Sequence, residues 1–211
     1  MKESDRKNHW EHVYKTKELK DVSWYQKSPE TSLDFIKFFK IPKNAKIIDV
    51  GGGDSFLVDH LLQLGYTDIT VLDVSETALK RAKERLGILA ENVVWIVADI
   101  VDFKPKETYD FWHDRATSHF LTDKAEIDNY IKSIQNNLNP NGILVVGSFS
   151  EQGPTKCSGI DVKQYSEESM NNLVKPYFEK IKCAYVDHQT PFDTTQNFIF
   201  CGFRKLERTL K

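Results

Sequence analysis

Four aspartates stand where apolar runs stop: Asp49, Asp73, Asp99 and Asp114. Asp49 closes Lys46-Ile47-Ile48-Asp49-Val50 two positions before Gly51-Gly52-Gly53-Asp54. A strand, a glycine turn and a helix start let backbone N–H groups wrap a bound nucleoside. Asp73 follows Ile69-Thr70-Val71-Leu72, 24 residues after Asp49. That is near the distance at which a strand–helix–strand unit returns to the same sheet edge, and a carboxylate there can accept from both hydroxyls of a ribose. Asp99 can accept from an adenine amino group while Ile100 packs against the ring. Carboxylates at the first two places suit a ligand with a cationic end and a ribose diol better than one with a pyrophosphate.

The fourth tip has a different chemistry. His113, Asp114 and Arg115 end the run Phe111–Asp114. A carboxylate or imidazole there can act as a general base where an acceptor must lose a proton. Arg115 can orient a substrate carboxylate or pair with Asp114. His119 reads first as a packing residue of the helix that follows. Trp10 and Tyr14 are spaced i, i+4 and share a helix face; with Trp24 and Tyr25 they can form an aromatic lid that attracts a cation. Tyr14 is the one expected to touch the ligand.

These positions need a framework. Strands are predicted at Lys46–Val50, Ile69–Asp73, Val93–Ala98, Phe111–Asp114 and Ile143–Phe149, alternating with helical patterns that include Phe56–Leu64, Glu76–Leu86 behind Ser75, and Lys124–Leu138, which stops at Asn139-Pro140-Asn141-Gly142. Such alternation signals a parallel sheet with helices on both faces. A short helix at Glu167–Val174 then precedes two β-rich runs, Phe178–Asp187 and Asn197–Arg204. The connection through Thr190-Pro191-Phe192-Asp193 is too short for a parallel crossover, so the pair is antiparallel. Asn8–Lys15 and Thr31–Phe39 are amphipathic helices before the sheet. The expected fold is α/β: a Rossmann-like, mostly parallel seven-stranded sheet closed by a C-terminal antiparallel β-hairpin. It forms a single domain over 1–211, with a helical lid at 1–40 and a cofactor-binding core at 45–205.

Composition narrows the class. The chain has 211 residues, a charged fraction of 28% and a formal net charge of -2. No global field favours nucleic acid or an acidic membrane. No apolar run is long enough to span a bilayer, and the N-terminus has no segment resembling a signal peptide. Three cysteines, Cys157, Cys183 and Cys201, match neither a zinc site nor an even disulfide framework. Cys183 and Cys201 are expected as buried reduced thiols, no metal site is expected, and the location is cytoplasmic.

The glycine turn fails the dinucleotide fingerprint, because Phe56 stands where a third glycine is needed. With the terminal hairpin, this disfavours a nicotinamide oxidoreductase. Asp49-Val50-Gly51-Gly52-Gly53-Asp54, Val71-Leu72-Asp73-Val74-Ser75 and Ala98-Asp99-Ile100 instead resemble the successive nucleoside-binding motifs of class I S-adenosylmethionine-dependent methyltransferases. The resemblance runs from about Ala45 to the C-terminus; Ser55 departs from it, where many members carry another glycine. It implies S-adenosylmethionine as cofactor, with Asp49 and the backbone of Gly51, Gly52 and Gly53 at the methionine end. Asp73 with Val74 falls at the ribose, Asp99 with Ile100 at the adenine, and Tyr14, Trp24 and Asp114 complete the set.

A narrower likeness lies in Trp112-His113-Asp114-Arg115-Ala116 with His119-Phe120-Leu121, in Gly153–Gly159, in Thr190-Pro191 with Gln196-Asn197-Phe198, and in Ser23-Trp24-Tyr25-Gln26. These are similar to a bacterial subgroup related to the mitochondrial citrate synthase lysine methyltransferase. The implied reaction is methyl transfer to a protein lysine or a small polar metabolite, by a monomer or weak homodimer. Methyl transfer from a sulfonium needs alignment and exclusion of water more than activation of the leaving group. A non-catalytic S-adenosylmethionine-binding protein would share the glycine turn without an organised acceptor pocket. A nucleic-acid acceptor has no support, since there is neither a basic excess nor an Asn-Pro-Pro-aromatic tetrapeptide.

Overall fold

A computed structural model of the chain describes residues 3–207; the outermost ends of the expected 1–211 domain lie outside them. Seven strands form one sheet. By contact density the chain divides into two compact units, one running to Phe103 and including Thr190–Thr194, the other comprising Lys104–Gln189 and continuing from Thr195.

The first unit contains α1 (Glu3–Thr16), α2 (Glu30–Phe38), β1 (Lys46–Val50), α3 (Leu57–Gln63), β2 (Asp68–Asp73), α4 (Glu76–Leu86) and β3 (Val93–Val97). Its three strands are parallel, with Ile47 beside Ile69 and Ile69 beside Val93. In β1 and β2 every residue after the first is buried, as a strand covered on both faces requires. Helix α4 is stopped at both ends by its sequence. The Ser75 side chain accepts from the Ala78 N–H, and Gly87 takes φ 57° after the last turn.

The second unit contains β4 (Tyr109–Arg115), α5 (Lys124–Asn137), β5 (Leu138–Phe149), the small pair β6 (Lys156–Cys157) and β7 (Ile160–Asp161), α6 (Glu167–Val174), β8 (Phe178–Gln189) and β9 (Thr195–Lys205). Strands β4 and β5 are parallel; β5–β9 and β8–β9 are antiparallel. The mostly parallel, hairpin-closed sheet is the one the sequence predicts. Asp123 caps α5 by accepting from Ala125 and Glu126, and Ser166 with Ser169 forms a capping box on α6.

Two expectations need correction. The segment Asn139–Gly142, expected only as the stop of the preceding helix, belongs to a strand. Strand β5 begins at Leu138, and the register jumps from Tyr109↔Leu138 to Phe111↔Ile143. The breaker residues are absorbed as an irregularity inside the strand, with Asn141 at φ 62°. The second correction concerns Cys183 and Cys201, expected as reduced thiols. They are joined by a disulfide, because the β8–β9 register sets them directly opposite one another, with Cα atoms 4.2 Å apart. Cys157 is buried outside that bridge.

Candidate functional site

In the first unit, the turn after β1 is built by close approach. The Gly52 N–H donates to the Leu72 carbonyl at 3.1 Å, and the Ser55 N–H donates to the Gly52 carbonyl at 3.0 Å. A Cβ on Gly52 would lie 2.7 Å from both Asp49 Oδ2 and Val71 Cγ1. Gly51 and Gly53 adopt φ 65° and 52°, a region that costs other residues backbone strain. A Cβ on Gly53 would lie 2.6 Å from the Tyr14 hydroxyl and 3.3 Å from Asp73 Oδ2. Tyr14, Gly53 and Asp73 therefore meet at one point.

Phe56, where a dinucleotide turn would carry glycine, has its own partners. The Arg85 guanidinium lies 4.3 Å from its ring centroid, and Tyr25 packs on it edge-on. Arg85 also donates to the carbonyls of Asp54 and Ser55 and pairs with Asp59 through two bonds. The turn after the glycines is held by an arginine.

Asp73 is buried at the tip of β2. Its Oδ1 accepts from the Ser75 N–H at 2.8 Å. Burial pushes its carboxyl up to about 7; the Ser75 and Gly53 N–H groups oppose that rise, and Asp54 and Asp49 add to it. Asp54 is itself raised by burial, against the pull of Arg81 and Arg85. The Tyr14 hydroxyl is held well above its usual value by burial and by Asp73 and Asp54. Tyr14, Trp10 and Trp24 form a cluster with centroid separations of 5.7–6.3 Å. Val74 is half-buried beside Asp73.

Beyond β3, Asp99 is buried and Ile100 beside it is buried too. Asp99 Oδ1 accepts from Arg6 Nη1 at 2.8 Å and from the Val101 N–H at 3.0 Å. Its Oδ2 is buried with no hydrogen-bond partner.

Helix α1 is held to α4 at two places. Glu11 accepts from the Ser75 hydroxyl and from the Thr77 N–H and hydroxyl at the start of α4. Burial alone would raise the Glu11 carboxyl, but these hydrogen bonds outweigh it and hold the group low. Arg81 of α4 donates to the carbonyls of Tyr14 and Lys17 at the end of α1. Its Nε also lies 3.2 Å from Asp54 Oδ2.

In the second unit, the three residues ending β4 divide between the two faces of the strand. Strand alternation sends Asp114 to the face of Trp112, and His113 and Arg115 to the other. Asp114 is fully buried, and its oxygens accept from the Tyr130 hydroxyl at 2.6 Å and from the N–H groups of Thr117 and Ser118 at 3.1–3.2 Å. Burial raises its carboxyl; Tyr130, Ser118 and Thr117 oppose the shift. Trp112 Nε1 in turn donates to the Tyr130 oxygen. Tyr130 joins Ser118, Tyr165, Val146 and Met170 around a small apolar cavity, and burial together with the Asp114 charge raises the Tyr165 hydroxyl. On the opposite face, His113 stacks on Phe111 and the Arg115 guanidinium lies 5.7 Å from the Phe198 ring centroid. His119 is buried between Phe120 and Phe149 with neither ring nitrogen hydrogen-bonded. Burial, assisted by Arg115, lowers it to about 3, so it is neutral.

Arg6, Glu11, Arg81 and Arg85 were not marked by motif or spacing, because a charge folding back onto a strand tip leaves no periodic trace. Tyr130 did leave one. With Ile127, Ile131 and Ile134 it shares the buried face of α5, and a hydroxyl on an apolar face needs a partner. Among the described residues no cluster of three His, Cys, Asp or Glu could hold a metal ion, and no helix is long and apolar enough to cross a membrane.

Residues 41–198 match a family model described as a methyltransferase domain. The mouse (Mus musculus) eEF1A lysine and N-terminal methyltransferase is 30% identical over 128 residues, covering 60% of this chain but only 18% of that protein. The zebrafish (Danio rerio) EEF1A lysine methyltransferase 2 is 24% identical over 193 residues, 83% of this chain and 76% of the relative. The crystal structure of the N-methyltransferase NodS from Bradyrhizobium japonicum WM9, in complex with S-adenosyl-L-homocysteine, superposes with a TM-score of 0.71 at 17% identity. It covers 93% of this chain and 98% of NodS, a likeness of fold.

Proposed function

This chain belongs to the methyltransferase-domain family, and we propose that it methylates a protein lysine or a small polar metabolite using S-adenosylmethionine. The observation that carries the cofactor assignment is Asp99 Oδ2, a buried carboxylate oxygen with no donor of its own. A buried acceptor left unmatched costs about 1–3 kcal/mol, a penalty that a ligand donor such as an adenine amino group removes. The rest of the cradle agrees. Asp73, already oriented by two backbone N–H groups, has acceptor capacity for a ribose diol. The glycine turn admits no Cβ at Gly52 or Gly53, so it brings backbone close to a ligand. The aromatic group of Trp10, Tyr14 and Trp24 suits a sulfonium.

When bound, the cofactor supplies a methyl group on an activated sulfur. The chain's own residues bind, orient and keep out water. His113, Asp114 and Arg115 are assigned to the acceptor side. Asp114 serves there by fixing the turn at 114–118, while Arg115 orients an acidic group of the acceptor. A lysine acceptor must arrive as a free amine, so the reaction accelerates with rising pH. The eEF1A lysine specificity in the names of two relatives supports a protein lysine, and the motifs around His113–Ala116 support kinship with the citrate synthase lysine methyltransferase. The same proposal has the protein work in the cytoplasm as a monomer or weak homodimer.

The test is incubation with radiolabelled S-adenosylmethionine and a cell extract of the source. Label retained with protein, with S-adenosylhomocysteine released, is the expected result. Label that passes a filter selects the small-molecule acceptor. Binding without turnover in any extract would overturn the enzyme assignment in favour of a non-catalytic binder.

A further inference from the structure

We propose that Arg6 is a positioning residue for purine recognition: it keeps Asp99 a pure acceptor, and so makes the site select a 6-amino over a 6-oxo purine. The inference rests on the assignment of Asp99 to the adenine. Three observations carry it. Arg6 and Asp99 form an ion pair at 2.8 Å whose side chains are only 8% and 2% exposed. Arg6 and the Val101 N–H both occupy Oδ1. Oδ2 is left buried and unmatched.

The chemistry follows from those contacts. The Arg6 cation and the Val101 N–H both donate to Oδ1, which leaves Oδ2 as the oxygen that accepts from a ligand. A 6-amino group donates to that oxygen. A 6-oxo group presents a second acceptor to it, and the mismatch leaves two buried oxygens facing one another without a proton. Once the cation is removed, the buried carboxyl can carry a proton and then donate to a 6-oxo group, so discrimination falls. Arg6 sits on α1, which Glu11 and Arg81 seat on α4, so the helix that covers the nucleoside also sets its base preference.

The experiment compares calorimetric affinities of S-adenosylhomocysteine and S-inosylhomocysteine on the full chain; the two differ at the 6-substituent of the purine and in the proton that the 6-oxo base carries on N1. The native protein is expected to prefer the adenosine compound by at least about tenfold. Arg6→Met is expected to shrink that ratio toward one, and Arg6→Lys, which retains a cation, to restore most of it. A merely structural loosening of α1 would weaken both compounds equally and leave the ratio intact; that result overturns the proposal. Asp99→Asn separates the two levels of the argument. If it collapses the ratio and Arg6→Met does not, the role of Arg6 fails alone. If Asp99→Asn leaves the ratio unchanged, the adenine assignment fails and the inference with it.

Discussion

Asp99 and Asp114 are both buried aspartates at the ends of parallel strands, yet they are used in opposite ways. Asp99 has one oxygen committed to Arg6 and Val101 and the other unmatched. Asp114 has both oxygens consumed by Tyr130 and by the turn that follows it. The first holds acceptor capacity in reserve for something outside the chain. The second spends its capacity on the chain itself. Residue type and strand position are thus a poor guide to role, and the count of donors around each oxygen is a good one.

The largest expected effect tests the committed side. Asp114→Ala strands the Tyr130 hydroxyl and two backbone N–H groups in the interior and should destabilise the fold by about 3 kcal/mol or more, read by urea denaturation. A fully stable variant would remove Asp114 from its structural role.

The ligand-facing side should behave in reverse. Asp73→Ala is expected to weaken S-adenosylhomocysteine binding by roughly ten- to a hundredfold, the worth of about 1.5–3 kcal/mol for a charge-assisted hydrogen bond. Stability should barely fall, since a buried carboxyl near neutrality is already a strain on the free protein.

That strain has a sign. The Asp73 carboxyl sits at about 7 in the folded chain and at about 4 when unfolded. Between those values the folded state holds the proton and the unfolded state has released it, so stability declines as pH rises through this window. Ligand affinity runs the other way. The ionised group is the better acceptor, and binding should weaken as pH drops below about 7, by up to about tenfold per unit. Asp73→Asn should flatten that pH profile in calorimetry, and a persistent slope would assign the titration to another group.

A smaller effect sharpens the same contrast. Gly53→Ala places a methyl against the Tyr14 hydroxyl at positive φ and should cost about 1 kcal/mol in backbone strain. It should also weaken S-adenosylhomocysteine binding several-fold in calorimetry.

The framework was legible because each parallel strand is a short apolar run ended by a polar residue, and each helix carries its own cap. Glu76–Leu86 and Glu167–Val174 appear with the boundaries predicted. The three nucleoside-side aspartates were legible as strand-tip carboxylates, and the structure finds them buried at those tips. What escaped notice was pairing between distant segments. Arg6 is 93 residues from Asp99 and Glu11 is 66 from Thr77, separations that no local pattern encodes. The disulfide was within reach: Cys183 and Cys201 lie equally far either side of the hairpin turn, and the antiparallel pairing had been predicted.

The seating of α1 has a consequence for how the protein responds to its medium. The side-chain bonds of Arg6, Glu11 and Arg81 that seat the helix each have a charged group on at least one partner. The Arg81 guanidinium, which holds the end of α1, is partly open to solvent, with its side chain 24% exposed, whereas the Arg6–Asp99 pair is shielded. Dissolved ions screen the first and barely reach the second. Raising ionic strength therefore frees the Tyr14 end of the helix before the Arg6 end, so the segment peels from the glycine turn toward the adenine tip. Spent nucleoside should then leave faster in concentrated salt than in dilute buffer.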